Sequence, residues 1–523
     1  MQWSSGYVHG IDYPVGFFPE QSPVHLSFAC LAQGVEPVPL DREFTYMELG
    51  CGQGLTSTVL AAANPQGRFY AVDFLPTQVR TAQDMASAAG IDNLTVLECS
   101  FEQMARGEID LPAFDFVTMY GVYSWVDRTN RGHILDFLRR YLKPGGIVYL
   151  NYNALPGWSS ALSLQRMLRE FGRHDMCDRQ AQLHQGGALV RALSQAGAAA
   201  FGAAEATGLR RRLRALESDE PGYLAHEYLN QGWDALFSID VIQDLAQAKL
   251  DYVGSAELAY GFPELYLSHA QQSLLAQQPN AGMRELVWDQ ICNSSFREDI
   301  YVRGARRMSP HQRDAWLERC GLALTEAPSR ITLELPLAIG NVRADAHTYQ
   351  PVMDALCQRP HSFAELAALP ALRKQGRGLR EIASMAILLS ASRQAAPFFL
   401  SAAAQPRQAA QRLNRLIAGW SAESDCFQAL ASPLLGNGLP SGLLQRVAFD
   451  QLSQAQSQPE QWVLPMAQAI HRQGTHLQRG GAPLSTREEI HAELLALAQA
   501  ICTQRLPVWA NLNMAPQQAT SPG

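Results

Sequence analysis

The chain has 523 residues, 47% of them hydrophobic and 17% charged, which excludes a disordered protein and exceeds what one core holds. Its 42 basic and 49 acidic side chains leave a formal charge of −7, which argues against a general nucleic-acid binder needing a basic face for phosphates. Nine cysteines lie singly between Cys30 and Cys502 without a Cys-x-x-Cys pair. That spacing argues against a zinc cluster or redox pair and suits a reducing cytoplasm. Met1–Gly6 has neither a basic nor an apolar leader pattern, and apolar runs such as Ala383–Leu389 are too short to span a bilayer. The expectation is a cytoplasmic chain without membrane contact.

The segment Gly6–Phe18, followed by Ser22-Pro23, is dense in aromatic and turn residues, and no regular element fits it. A lid over a ligand is the functional reading, and an arm on the sheet edge the plain one. Phe44–Asn153 then alternates strands and helices. Strands are expected at Phe44–Leu49, Arg68–Asp73, Leu94–Cys99, Phe114–Tyr120 and Ile147–Tyr152. Helices are expected at Leu55–Ala63, Pro76–Ala89 and Arg131–Leu142, the second with Pro in its first turn and Gly90 past its end. This alternation means a parallel sheet with helices on both faces, an α/β Rossmann-like class. After Trp158 strands thin out, and Ala161–Phe171, Arg191–Leu216 and Asp240–Lys249 read as a helical insertion. From Pro351 three short helices follow, the second opened by the capping box Ser362/Glu365 and the third at Leu379–Leu389, in a winged-helix-like order. Residues 408–508 read as helical, and Met514–Gly523 as a frayed tail. The boundaries expected are 1–160, 161–340, 341–400 and 401–523.

Glu48-Leu49-Gly50-Cys51-Gly52-Gln53-Gly54 closes the first strand and opens the first helix. Glycines let the backbone approach a ligand, and the helix start offers unpaired amides. Dinucleotide enzymes share such loops, so the neighbours decide. Glu48 suits a cationic ligand, such as the sulfonium and ammonium of S-adenosylmethionine, rather than a pyrophosphate. Asp73, nineteen residues after Gly54, ends the second strand where a carboxylate accepts both hydrogen bonds of a ribose diol. Leu142-Lys143-Pro144-Gly145-Gly146 forms a turn before the fifth strand. Ser100 and Phe101, after the third strand, are expected beside the adenine, with Phe74 the other candidate wall. Cys51 sits inside the loop; as with the other cysteines, a small core hydrophobe is the reading.

Tyr120-Gly121-Val122-Tyr123-Ser124-Trp125 follows the fourth strand, opposite the transferred methyl. Tyr120 and Gly121 are expected at the cofactor, and Tyr120, Tyr123 and Trp125 at the methyl acceptor, where aromatic faces suit a cation. The Asn/Asp-Pro-Pro-Tyr/Phe tetrad of enzymes that grip planar amides is absent, which lowers the case for base or glutamine methylation. No His-x-x-x-His spacing marks a metal site.

Tyr7-Val-x-x-x-Asp12-Tyr13-Pro14-x-x-Phe17-Phe18, the glycine loop, Gly121–Val126, His226–Asn230, Val253–Ala256, Phe296–Gly304 and Ala431–Gly438 together resemble bacterial methyltransferases with an appended methyltransferase regulatory domain. The resemblance extends to rickettsial lysine methyltransferases acting on outer-membrane proteins. It implies a cofactor domain, a helical dimerisation or regulatory insertion, a winged-helix-like unit and a C-terminal helical domain. For some members it implies a protein lysine substrate. Three readings follow: a protein methyltransferase, a small-molecule methyltransferase with a helical cap, and a regulator binding S-adenosylmethionine and contacting DNA or a partner. The one basic cluster near the winged-helix-like unit, Leu372–Arg380, reads as a solvated loop.

Overall fold

The computed structural model describes residues 13–171, 179–196, 198, 209, 212–214, 216, 221–480 and 482–515. The first half of the aromatic arm, most of the expected Arg191–Leu216 helix and most of the tail lie outside these residues.

Seven strands form one sheet: β1 (Phe44–Leu49), β2 (Gly67–Asp73), β3 (Leu94–Glu98), β4 (Phe114–Met119), β5 (Leu142–Asn153), β6 (Leu250–Ser255) and β7 (Phe296–Arg303). Their order is β3-β2-β1-β4-β5-β7-β6. The first five run parallel, and β7 is antiparallel to both β5 and β6. Parallel strands need crossovers, and helices α1 (Pro23–Ala32), α2 (Leu55–Ala63), α3 (Pro76–Ala88), α4 (Phe101–Arg106) and α5 (Arg128–Tyr141) flank them in the chain. Caps set their starts: Ser22 accepts from the His25 amide, Ser100 from that of Gln103, and Asp127 from that of Asn130. The chain turns from β1 to β2 on one side and reaches β4 on the other. This switch point opens a crevice at the carboxyl ends of the strands.

The expected helical region 161–340 therefore contains two strands of the main sheet. Among the described residues, its helices between β5 and β6 are α6 (Leu162–Phe171), α7 (Arg179–Gln195), α8 (Pro221–Leu229) and Ser238–Ala246, the last overlapping the expected Asp240–Lys249. Trp158, Leu164, Leu168, Leu224 and Tyr228 share one apolar cluster that also takes in Trp125.

Strand β7 is anchored by charge. Arg297, 8% exposed, donates to Asp289 at 2.7 Å, to Asp299 at 2.9 Å and to Glu285 at 2.9 Å. Tyr152 on β5 donates to Asp299 at 2.6 Å. The network ties helix Ala281–Cys292 to β5 and β7.

The winged-helix-like unit holds helices Ala346–Gln358, Phe363–Ala367, Pro370–Lys374 and Leu379–Ala391. The Ser362/Glu365 capping box forms. Its sheet is built on β8 (Cys320–Leu324), upstream of the expected boundary at 341. The hairpin β9 (Glu334–Leu337) and β10 (Gly340–Arg343) follows, and β11 (His361–Ser362) and β12 (Ala395–Phe399) pair on either side of β8. The C-terminal region is helical with one buried hairpin, β13 (Ala429–Ser432) and β14 (Asn437–Pro440). That hairpin packs on the main domain: Asn64 donates to the Gly436 carbonyl at 2.8 Å, and Asn437 to that of Pro19 at 3.0 Å.

Removing Arg297 strands buried carboxylates without their cation. Arg297→Ala should therefore lower stability by about 3–5 kcal/mol. Chemical denaturation followed by circular dichroism checks this, and a change below about 1 kcal/mol would mean the network adds nothing net.

Candidate active site

A cavity of about 910 Å³, partly open to solvent, fills the crevice at the ends of β1, β2 and β4. It is lined by Glu48, Gly50, Cys51, Gly52 and Gly54 from the glycine loop and by Asp73, Phe74 and Phe101 from the next two strand ends. Tyr120, Gly121 and Trp125 come from the β4 end, Tyr13 to Gly16 and Phe18 from the arm, and His226 from α8.

The loop needs its glycines. Gly50, Gly52 and Gly54 have φ of +72°, +53° and +75°, left-handed values that strain any other residue. A Cβ on Gly54 would lie 2.5 Å from that of Ala82, and one on Gly50 2.6 Å from Val122. A Cβ added to Gly52 would meet nothing within 4 Å, so the cavity reaches its backbone on that side. Asp73 holds the loop from below, accepting from the Gly52 amide at 3.0 Å and the Leu75 amide at 2.9 Å.

Glu48 is buried at the cavity floor, accepting from Gln21 at 3.2 Å and from the Ser57 hydroxyl. Burial raises its pKa to about 7 against the pull of these bonds. Burial also raises Asp73. The Cys51 thiol is pushed well above its ordinary range by burial, then by Asp73 and Glu48, which leaves it protonated and non-nucleophilic. A floor of carboxylates with few compensating cations favours a cationic ligand, and the loop leaves backbone amides for its oxygens. These residues fit S-adenosylmethionine.

The other side of the cavity is aromatic. Phe18 stacks on Tyr120 with ring centroids 3.5 Å apart. Tyr13 meets Trp125 edge-on at 5.3 Å and His226 at 5.5 Å, and Trp125 stacks with His226 at 5.9 Å. Trp125 is aimed by Glu227, which accepts its indole N–H at 3.1 Å and the Asn153 amide at 2.9 Å. Burial raises Glu227 to about 7, with Arg212 the chief opposing influence. Thr56 at the start of α2 fixes the arm, accepting from the Phe18 amide at 3.2 Å and donating to the Gly16 carbonyl at 3.3 Å.

Two expected residues sit elsewhere. Ser100 does not line the cavity; its hydroxyl and amide close a capping box with Gln103 at 3.2 and 3.0 Å, which spends its polar atoms on α4. Tyr123 is fully buried in the core between sheet and α5, with the Arg131 guanidinium 6.0 Å from its ring. It does not reach the cavity. His226 had no role in the sequence reading; its motif was visible, but no local pattern places residue 226 beside residue 125. Gln53, Gln78 and Val126 also line the cavity and carried no signal beyond adjacency to the motifs. Among the described residues no group of acidic, histidine or cysteine side chains could hold a metal, and no helix is long and apolar enough to cross a membrane.

Two family models match the chain: a methyltransferase domain over residues 47–148, and a predicted methyltransferase regulatory domain over residues 220–303. The uncharacterized protein sll1526 of Synechocystis is 31% identical over 98% of this chain and 100% of its own length. The uncharacterized protein RP028 of Rickettsia prowazekii is 26% identical over 42% of this chain and 86% of its own. Among solved structures, PKMT2 from Rickettsia typhi in complex with AdoHcy shares the fold with a TM-score of 0.70. It is 18% identical, covering 96% of this chain and 100% of that one.

With Glu48 at about 7, a cationic ligand above it should bind better once the carboxyl ionises. Affinity for S-adenosylhomocysteine, which keeps the ammonium, should rise on the order of tenfold from about pH 6 to pH 8. Glu48→Gln should flatten that rise, because an amide does not titrate. Calorimetric titration across pH checks this; an equal slope in wild type and variant would remove Glu48 from the cation site.

Proposed function

We propose that the methyl acceptor is a lysine amine of a protein, on the premise that the chain belongs to the family of bacterial class I S-adenosylmethionine-dependent methyltransferases that carry a methyltransferase regulatory domain. The single observation that carries the proposal is the aromatic wall of Tyr13, Tyr120, Trp125 and His226 around one end of the cavity. Aromatic faces attract an alkylammonium and, when desolvated, hold it with up to about 2 kcal/mol per good contact. An apolar or phenolic acceptor would gain packing from such a wall but not this attraction for a cation. The sequence resemblance to rickettsial lysine methyltransferases supports the same substrate class.

When bound, S-adenosylmethionine would supply a sulfonium methyl: once the lysine ammonium has lost a proton, its lone pair forms the N–C bond in line as the C–S bond breaks and S-adenosylhomocysteine leaves. In this reading the chain's part is positional. Glu48 and the loop amides hold the amino-acid end of the cofactor, Asp73 its ribose, and Phe74 and Phe101 its purine. Gly121, whose amide donates to Asn151 at 2.7 Å, brings the backbone after β4 against the cofactor with a φ of +67°. Tyr120 keeps its proton, because burial raises its pKa, followed by the charge of Glu298. It therefore offers a neutral hydroxyl that can accept an amine N–H. The arm residues Tyr13 and Phe18 cover the cavity and exclude water. We assign the α/β core to residues 13–160 together with β6 and β7, with α6, α7, α8 and helix Ser238–Ala246 as the described helices of the insertion. The winged-helix-like unit and C-terminal helices supply docking surface for a protein.

The direct test incubates the purified chain with trideuteromethyl-labelled cofactor and cell-lysate proteins, then maps label by tandem mass spectrometry. Label on lysine side chains is expected; label confined to small molecules, or to other residue types, would overturn the proposal. Trp125→Ala should lower kcat/KM by about 30-fold, the equivalent of about 2 kcal/mol, while leaving cofactor affinity nearly unchanged. Tyr123→Phe should leave turnover unchanged, since that ring lies in the core. Steady-state kinetics on a labelled substrate separates these outcomes.

A further inference from the structure

A second cavity, about 1240 Å³ and open on one side, lies far along the chain from the methyl-transfer site, between the segment after β8 and the C-terminal helices. One wall is apolar: Leu443, Leu444, Ile470, Leu477, Leu497 and Ile501. The other is ionic and includes Glu326, Arg330, Asp425 and Arg505.

Arg505 is placed there by a local irregularity. Residues Ile501–Arg505 form a π-helical turn between helices Arg487–Ala500 and Leu506–Asn511. Pro507, in the first turn of the last helix, has no amide to give and crowds the carbonyl four residues back, which widens the helix there. Such turns recur at functional sites because they redirect one side chain. Here the redirected residue is 7% exposed. Its Nη1 donates to the Thr325 carbonyl at 2.7 Å and lies 3.4 Å from Glu326. Its Nε has no hydrogen-bond partner among the described residues.

The local charges do not balance. Three guanidinium groups, Arg330, Arg446 and Arg505, share two carboxylates. Glu326 lies 3.7 Å from Arg330 and 3.4 Å from Arg505, while Asp425 is taken by the fully buried Arg446. Arg330 is mostly exposed and keeps its hydration, so Arg505 is the guanidinium held out of water beside the apolar wall. With one carbonyl and one shared carboxylate, both at Nη1, and nothing at Nε, the buried Arg505 guanidinium has recovered only part of its lost hydration. The Nε itself is closed off, so a planar carboxylate entering the cavity would add its acceptor at the accessible Nη2 edge of the guanidinium.

We propose that this cavity is a binding site for a small organic carboxylate: the acid group pairs with Arg505, and an apolar body covers Leu444, Leu477 and Leu497. Neither the methyl-transfer chemistry nor the cofactor uses it, and its ligand binds independently of both.

The probe is 2-naphthoate, an acid on an apolar body, titrated calorimetrically into the full chain with saturating S-adenosylhomocysteine filling the first cavity. The expected result is saturable binding that Arg505→Gln weakens at least about tenfold, the loss of one charge-assisted pair. The neutral isostere 2-naphthylmethanol should bind weaker by a similar factor. Ala500→Phe, which fills the cavity without touching the charges, should abolish binding and serves as the deciding variant if Arg505→Gln does not fold. No binding of 2-naphthoate to the wild type at millimolar concentration would overturn the proposal. So would equal binding of the neutral isostere, or unchanged binding to a folded Arg505→Gln or Ala500→Phe protein.

Discussion

The acceptor side of the first cavity depends on one buried carboxylate, Glu227. Its two oxygens take the Trp125 indole N–H and the Asn153 side-chain amide, so α8 is bonded both to the segment after β4 and to the end of β5. A polar group this deep is tolerated only when its partners are present. Trp125, His226 and Tyr13 hold their mutual angles because that anchor fixes the helix that carries His226. The insertion is thereby part of the site rather than an appendage near it.

Electrostatics unites the two halves of the cavity. Glu48, in the cavity, and Glu227, behind Trp125, are both raised to about 7, first by burial. Neither has a nearby cation that neutralises it fully. For the chain alone their ionisation opposes folding, because the folded pKa lies above the usual carboxylate value. The stability this contributes is present below about pH 4.5 and is lost as pH rises towards 7. A cationic ligand reverses that sign, because it lowers the pKa it meets. The same burial that raises these carboxyls favours positive charge beside them.

Much of the parallel sheet was legible because its strands are apolar on both faces and its helices are bounded by Pro, Gly and Asn. Strand β1 and helix α2 fall at the expected residues. Strands β6 and β7 were not legible. Phe296–Arg303 carries Arg297, Glu298 and Asp299 in succession, and the buried ion network hides the apolar alternation that marks a strand. The glycine loop and Asp73 could be read from spacing, since backbone geometry fixes where a strand end delivers them. Side-chain direction could not. Ser100 carried its own signal in the Ser-x-x-Gln pattern of a capping box, which competes with ligand binding for the hydroxyl. Tyr123 and Trp125 stand two residues apart in an irregular turn, where neither helical nor strand periodicity tells core from cavity. His226 reaches the site only through the tertiary packing of α8.

The account's central claim, that the insertion helix builds the acceptor side while the glycine-loop side holds the cofactor, is tested most directly by Glu227→Ala. Cofactor affinity by calorimetry and kcat/KM for methyl transfer are measured on the same protein. The account predicts affinity within about twofold of wild type and a loss in kcat/KM of at least about tenfold, the pattern of a group acting on the acceptor alone. A parallel fall in cofactor affinity and rate, or an unchanged rate, would contradict it.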